Sequence, residues 1–268
     1  MATLRNLGSG FDPAVVAGID AKLREVESAH GVRILLAIES GSRGWGFASP
    51  DSDYDCRFIF VRPRDDYLSL FPKRDVIEYP PDGIYDVNGW DLPKALKLLL
   101  KGNAVVIEWL TSPYAYAGDP VFRDELLALA REVAQPAAIA NHYLHLGERQ
   151  YRRNLEGRES VSLKKVFYVL RPAIALRWMR LHPGEAVAPM AFGTLVDESD
   201  LPGDVQLLIG DLLARKAETR EMGEGELPTP IANLIEAEFG QGRDRWPASS
   251  PGPMPGGIRA ADLMFRRW

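Results

Sequence analysis

The sequence predicts an α+β protein in which strands and helices interleave over the first hundred-odd residues and helices alone follow. Three observations carry this. Residues 32–38 (VRILLAI) and 58–61 (FIFV) are short, apolar and rich in β-branched or aromatic side chains, as buried strands are. From residue 119 to about 220, apolar residues recur at helical spacing and no strand signature interrupts them. The composition, 46% hydrophobic and 26% charged over 268 residues, supplies enough apolar surface for one large core or two modest ones.

Taken in order, Asp12-Pro13 offers a helix N-cap and a first-turn proline. Val15, Val16, Ile19, Leu23 and Val26 then mark a buried stripe, and Gly31 stops that helix. Strands at 32–38 and 58–61 come next, then a turn at 63–67 and a short helix at 67–70. A weak strand at 75–79 and a Pro-Pro-Asp-Gly turn lead into a strand at 84–87 that contains Asp86. Asp91 reads as the N-cap of a leucine-rich helix with Pro93 in its first turn. Asn103 opens a second, short helix over 104–110, which holds Glu108 among apolar neighbours, where a buried carboxylate needs a partner such as a basic residue of the helical half. Helices at 120–133, 137–155, 160–181 and 203–220 complete the regular pattern. Residues 240–257, with four prolines, are too rich in Pro and Gly for regular structure, while 260–268 are apolar enough to dock. The domain boundaries expected are 1–118, 119–240 and a tail at 241–268.

Several function classes are set aside at this level. No apolar run approaches a membrane span, and the first residues, MATLRNLGSGFD, carry no signal-peptide pattern. The one cysteine, Cys56, leaves no internal disulfide and fits a reducing cytoplasm. A net charge of −5 argues against non-specific coating of nucleic acid, though not against a local basic groove. The four histidines form no metal-ligand pattern with cysteine.

The chemistry concentrates in residues 41–55, GSRGWGFASPDSDYD, between the first two strands. If Asp53 and Asp55 enter the second strand, the period of two puts both carboxylates on one face. Paired carboxylates repel, and a fold normally holds them together for a cation. Gly41, Gly44 and Gly46 let the backbone approach a ligand and present amides to phosphate oxygens. Taken alone, Asp51, Ser52 and Asp53 would equally be turn residues after Pro50.

Gly41-Ser42 followed by Ser52-Asp53-x-Asp55 resembles the signature of the DNA polymerase β-type nucleotidyltransferase superfamily. The fuller string, from Glu39-Ser40-Gly41-Ser42-Arg43-Gly44-Trp45-Gly46 to Asp55, resembles a branch that includes the RlaP group associated with RNA repair. The resemblance implies a polymerase-β-like catalytic domain with a small mixed sheet, and a helical domain that closes the nucleotide cleft. It implies catalysis by Asp53, Asp55 and a third carboxylate on a neighbouring strand, the three also ligating two Mg²⁺ ions (or Mn²⁺). Asp86 is the candidate because it lies inside a strand-like run; Asp91 is explained as a cap, Asp82 stands in a turn, and Asp75 precedes a weak strand. Gly41 and Ser42 would hold the triphosphate of an NTP, ATP first among them. Arg43 would either pair a phosphate or serve as a surface arginine.

Residues 141–182 carry nine basic side chains against three acidic ones. Lys164, Tyr168 and Arg171 share one helix face there, and the resemblance implies that this face meets the nucleotide, with Lys165 an alternative to Lys164. The alternative is a solvated basic face. The expected reaction is transfer of NMP to an acceptor hydroxyl with release of pyrophosphate. An RNA end, tRNA-like, leads; a protein or small-molecule hydroxyl is open, and no membrane partner is expected. The rival is a nucleotide sensor that binds without turnover, against which both aspartates of the Asp-x-Asp pair are intact.

Overall fold

A computed structural model describes residues 3–219, 222–246 and 252–268. Asp12 caps α1 (Pro13–His30) by accepting from the Ala14 amide, and Gly31 ends it at φ 59°, a left-handed conformation that glycine adopts without steric cost. Then come β1 (Arg33–Glu39), the single turn α2 (Gly41–Gly44), β2 (Tyr54–Val61), α3 (Arg64–Tyr67), β3 (Val76–Glu78) and β4 (Tyr85–Asp91). Helices α4 (Leu92–Leu100) and α5 (Ala104–Thr111) precede β5 (Ala115–Gly118). The remainder comprises α6 (Pro120–Val133), α7 (Pro136–Asn154), β6 (Val161–Ser162), α8 (Leu163–Leu181), α9 (Phe192–Asp197), α10 (Gly203–Glu218), β7 (Glu224–Gly225), α11 (Thr229–Arg245) and α12 (Gly257–Arg267).

The five-stranded sheet runs β3-β4-β2-β1-β5. Only β2 and β4 pair in parallel, so the sheet is mixed, and the fold is α+β as expected. Alternation along the strands sorts side chains to two faces. Ala37, Tyr54, Cys56, Phe58, Phe60 and Val87 pack against Val16, Ile19, Leu23 and Val26 of α1. Leu36, Ile38, Ile59 and Val61 face the other way and join one hydrophobic cluster that runs through α4, α5 and α6 into the helical half. Asp55 and Arg57 have the parity of Ile59, so β2 delivers both to the helical side, where Asp53, one residue before the strand, joins them at the cleft.

In that half, α7, α8 and α11 pack at close range. A methyl group at Gly147 would strike the Phe239 ring and touch Pro172, so this position stays bare to let the three helices approach. Pro172, inside α8, removes the donor that the Tyr168 carbonyl would otherwise receive.

Several elements depart from the sequence reading. The short helix expected at 67–70 is one turn earlier, at α3, and leaves Leu68, Leu70 and Phe71 exposed. The stretch from 119 to about 220, read as strandless, contains the two-residue β6, which pairs with β7 just beyond it; β5, to which the sequence reading gave no element, is a strand because β1 offers it an open edge. Helix α11 extends to Arg245, past the point where the tail was expected to begin, and α12 docks on α4 and α6. Pro247 and Pro251 lie outside the described residues. Asp91 stands at the start of α4, but its carboxylate accepts from the Tyr67 hydroxyl at 2.5 Å and lies 3.6 Å from Arg62. Asn103 does cap α5, accepting from the Val105 amide at 2.9 Å. Among the described residues, no helix is long and apolar enough to cross a membrane.

Candidate active site

β1 delivers the chain to Ser40, whose amide bonds the Asp55 carbonyl at 2.8 Å. Gly41 follows at φ 57°, and a methyl group there would overlap the Asp55 carboxylate. Only glycine permits both the left-handed backbone and this approach. The turn is then tied to the loop before β2 by three serines. Ser52 Oγ lies 3.0 Å from Ser42 Oγ and 2.9 Å from Ser49 Oγ, and it accepts from the Ser49 amide at 2.8 Å.

Parallel pairing sets Asp55 of β2 directly beside Asp86 of β4. Both carboxylates lie on the helical side of the sheet, and Arg57 joins them. Its Nη2 donates to Asp55 Oδ1 at 3.0 Å and to Asp86 Oδ2 at 2.7 Å. Its Nη1 donates to the Asp86 carbonyl at 2.8 Å, and Asn88 holds the other Asp86 oxygen at 3.1 Å. Asp53, two residues before Asp55, is exposed at the strand entry. Burial pushes the Asp55 carboxyl up to about 6; Arg57 opposes the shift, and the charges of Asp86 and Asp53 add to it.

Among the described residues, no three carboxylate, imidazole or thiol groups close on one point as a complete ligand set. The donors nonetheless suit a hard divalent cation. Asp53 and Asp55 present carboxylate oxygens to a cleft that Asp86 does not itself line, and a guanidinium already offsets the repulsion between Asp55 and Asp86. Mg²⁺ keeps waters and takes substrate oxygens, so it does not require a closed protein cage.

The cleft has a volume of about 300 Å³. Gly41, Ser42, Asp53, Asp55 and Arg57 line its sheet side; Lys164 and Tyr168, from the first turns of α8, line the other. Tyr168 meets Trp45 edge to face at 6.1 Å, and its hydroxyl pKa is raised by burial and by the charges of Asp55 and Asp53. Lys165 points to solvent, so Lys164 is the lysine that faces the cleft.

Two residues assigned to the nucleotide by sequence are placed elsewhere. Arg43 turns back on the loop, donating to the Ser52 carbonyl at 2.8 Å and the Asp53 carbonyl at 3.3 Å, with its guanidinium 4.0 Å from the centre of the Tyr54 ring. It braces the strand entry. Arg171 is 3% exposed and donates to Glu108 Oε1 at 2.6 Å and to the Met190 carbonyl at 3.0 Å. It is the basic partner that buried Glu108 required. The same pair holds Trp45, whose indole N–H donates to Glu108 Oε2 at 3.3 Å and whose ring lies 5.0 Å from the Arg171 guanidinium. Arg177 and Arg180 are drawn inward in the same way, both bonding buried Glu238, whereas Arg149, Arg152, Arg153, Arg158 and Lys165 remain exposed.

Arg57 and Glu39 are the site residues that the sequence reading passed over. The period of two that aligns Asp53 with Asp55 also aligns Arg57, and that signal was present. Glu39 is fully buried at the end of β1. It accepts from the Asp55 amide at 3.1 Å and from the Tyr116 hydroxyl, and burial pushes its carboxyl up to about 8.

A model of the RNA repair pathway DNA polymerase beta family, RlaP, matches residues 16–266. The uncharacterized protein YcgL of Bacillus subtilis (strain 168) is 38% identical over 218 residues, which cover 81% of this chain and 83% of that protein.

Proposed function

The chain belongs to the RNA repair pathway DNA polymerase beta family, RlaP, and from that premise we propose that it is a Mg²⁺-dependent nucleotidyltransferase acting on an NTP. The observation that carries the reading is the Asp55–Asp86 pairing across parallel strands, beside Asp53 and under a glycine turn. Asp53 and Asp55 would hold the metal, with Asp86 the third ligand. When bound, Mg²⁺ supplies charge neutralisation at the phosphates and alignment of the α-phosphate.

The chain's own residues do the rest. Gly41 and Ser42 receive the phosphates through backbone amide and hydroxyl. Lys164 adds charge from the helical side, and Tyr168 bounds the cleft opposite the aspartates. Asp86 orients the acceptor hydroxyl and takes its proton as the acceptor oxygen bonds the α-phosphorus. The bond to the bridging oxygen breaks, and pyrophosphate leaves with the electron pair. Positioning and electrostatics dominate such a reaction. In this reading residues 1–118 form the catalytic domain and 119–240 the domain that closes on it. ATP is the first candidate donor and Mn²⁺ an alternative metal. The family description favours an RNA end as acceptor, with a protein or small-molecule hydroxyl next.

The test is incubation with each NTP labelled at the α-phosphate, with Mg²⁺ and with bulk tRNA, total RNA and cell protein as acceptors. Label in one acceptor class from the wild type and none from Asp53→Asn/Asp55→Asn supports the reading. NTP binding without transfer to any acceptor, with Mn²⁺ as well, replaces it by a non-catalytic sensor.

A further inference from the structure

Lys216, in the last turn of α10, is 2% exposed, and its ammonium has no hydrogen-bond partner. It lies 5.5 Å from the centre of the Phe47 ring. Phe47 hangs directly from the glycine turn, its amide bonding the Ser42 carbonyl at 2.9 Å, and it stacks on Phe167 of α8 at 5.0 Å. A buried, unpaired ammonium is strongly unfavourable, and the neighbouring aromatic face relieves only part of that. Two charged groups face it: Lys164 from α8 and Asp51 from the loop before β2, and both line the cleft. Burial and Lys164 push the Lys216 amine down to about 8, with Asp51 opposing.

The fold thus keeps a second lysine, already desolvated, behind the turn that the nucleotide reading assigns to phosphate. We propose that Lys216 acts with Lys164 as an anion subsite for the terminal phosphates of a nucleoside triphosphate, Lys216 being the charge that the incoming anion completes. This rests on the nucleotide reading of the cleft and extends it to a residue outside the motif. A polyphosphate near the amine favours its charged form, so above pH 8 binding draws a proton onto Lys216. Lys164 opposes that uptake, and Asp51 favours it.

The experiment is calorimetric titration of the full, metal-free chain with inorganic tripolyphosphate and with ATP. It is run at about pH 8.5 in two buffers of different ionisation enthalpy, so that proton uptake is read separately from affinity. Wild type is expected to bind both ligands with net proton uptake. Lys216→Met should weaken both by about tenfold or more and abolish the uptake, because one charge-assisted contact is lost. Lys165→Met, at an exposed neighbour, should match wild type. Binding by Lys216→Met within about twofold of wild type, or wild-type binding without uptake, overturns the proposal. Should Lys216→Met fail to fold, the wild-type uptake decides alone. Tripolyphosphate binding with uptake but no NMP transfer sinks the catalytic reading and leaves the subsite standing; transfer without uptake does the reverse.

Discussion

Arg171→Met isolates the buried ion pair that fastens α8 to α5. The two side chains are 3% and 7% exposed and meet at 2.6 Å. Removing one partner of such a pair leaves an uncompensated buried charge, at about 3–5 kcal/mol. Here Glu108 would keep the Trp45 indole at 3.3 Å and the nearby Tyr143 hydroxyl but no cation, and the Met190 carbonyl would lose its donor, adding about 1 kcal/mol. At about 2–4 °C per kcal/mol for a chain near this size, the combined loss of about 4–6 kcal/mol should lower Tm by roughly 8–24 °C. The double variant Glu108→Leu/Arg171→Met removes both charges and should lie well above either single variant, because neither ion is then stranded. Urea denaturation of the four proteins measures the coupling. The same proteins test the placement of Arg171: its guanidinium is committed behind the cleft, so the folded double variant should bind ATP like wild type. A loss below about 1 kcal/mol in Arg171→Met, or a stable double variant that no longer binds ATP, would refute the reasoning.

Three further outcomes follow from the site. Gly41→Ala places a methyl group on the Asp55 carboxylate at a left-handed position; it should lose about 1–2 kcal/mol of stability and nearly all transfer, read by denaturation and label incorporation. Asp55 has its carboxyl raised from 3.8 to about 6 in the metal-free fold, so over that window the native state binds a proton that the unfolded chain does not, and stability falls as pH rises. Asp55→Asn should abolish transfer yet remove that decline, raising Tm at pH 7 above wild type; an unchanged or lower Tm contradicts it. Glu39, raised from 4.5 to about 8, has the same sign over a wider window. Glu39→Gln can still accept from the Asp55 amide, and it should flatten the fall in Tm between about pH 5 and 8 in a thermal scan series.

Much of this is legible in the amino-acid sequence itself, because the decisive signals are local. The period of two put Asp53 and Asp55 on one face, and the setting of Asp86 put it within a strand; that this strand neighbours β2 was implied by the family resemblance alone. Gly41 announced a close approach, and Asn103 a cap, by residue type alone. What escaped depends on distant partners. β5 is a strand because β1 presents an edge to it, while its sequence, AYAG, carries no β-branched residue. Lys164, Tyr168 and Arg171 do share a helix face, but the cleft covers only the start of α8. Seven residues span about 10 Å of helix, which takes Arg171 past the cleft to Glu108. Lys216 gave no signal at all, since a lysine in the last turn of a helix is ordinarily a solvated one.

The most direct measurement runs parallel reactions with ATP labelled at the α-phosphate and at the γ-phosphate, in Mg²⁺ with an accepting RNA fraction. Nucleotidyl transfer predicts α-label retained on the acceptor and γ-label released as pyrophosphate, both absent in Asp53→Asn/Asp55→Asn. Acceptor-bound γ-label, or ATP hydrolysis with neither label transferred, would contradict the account.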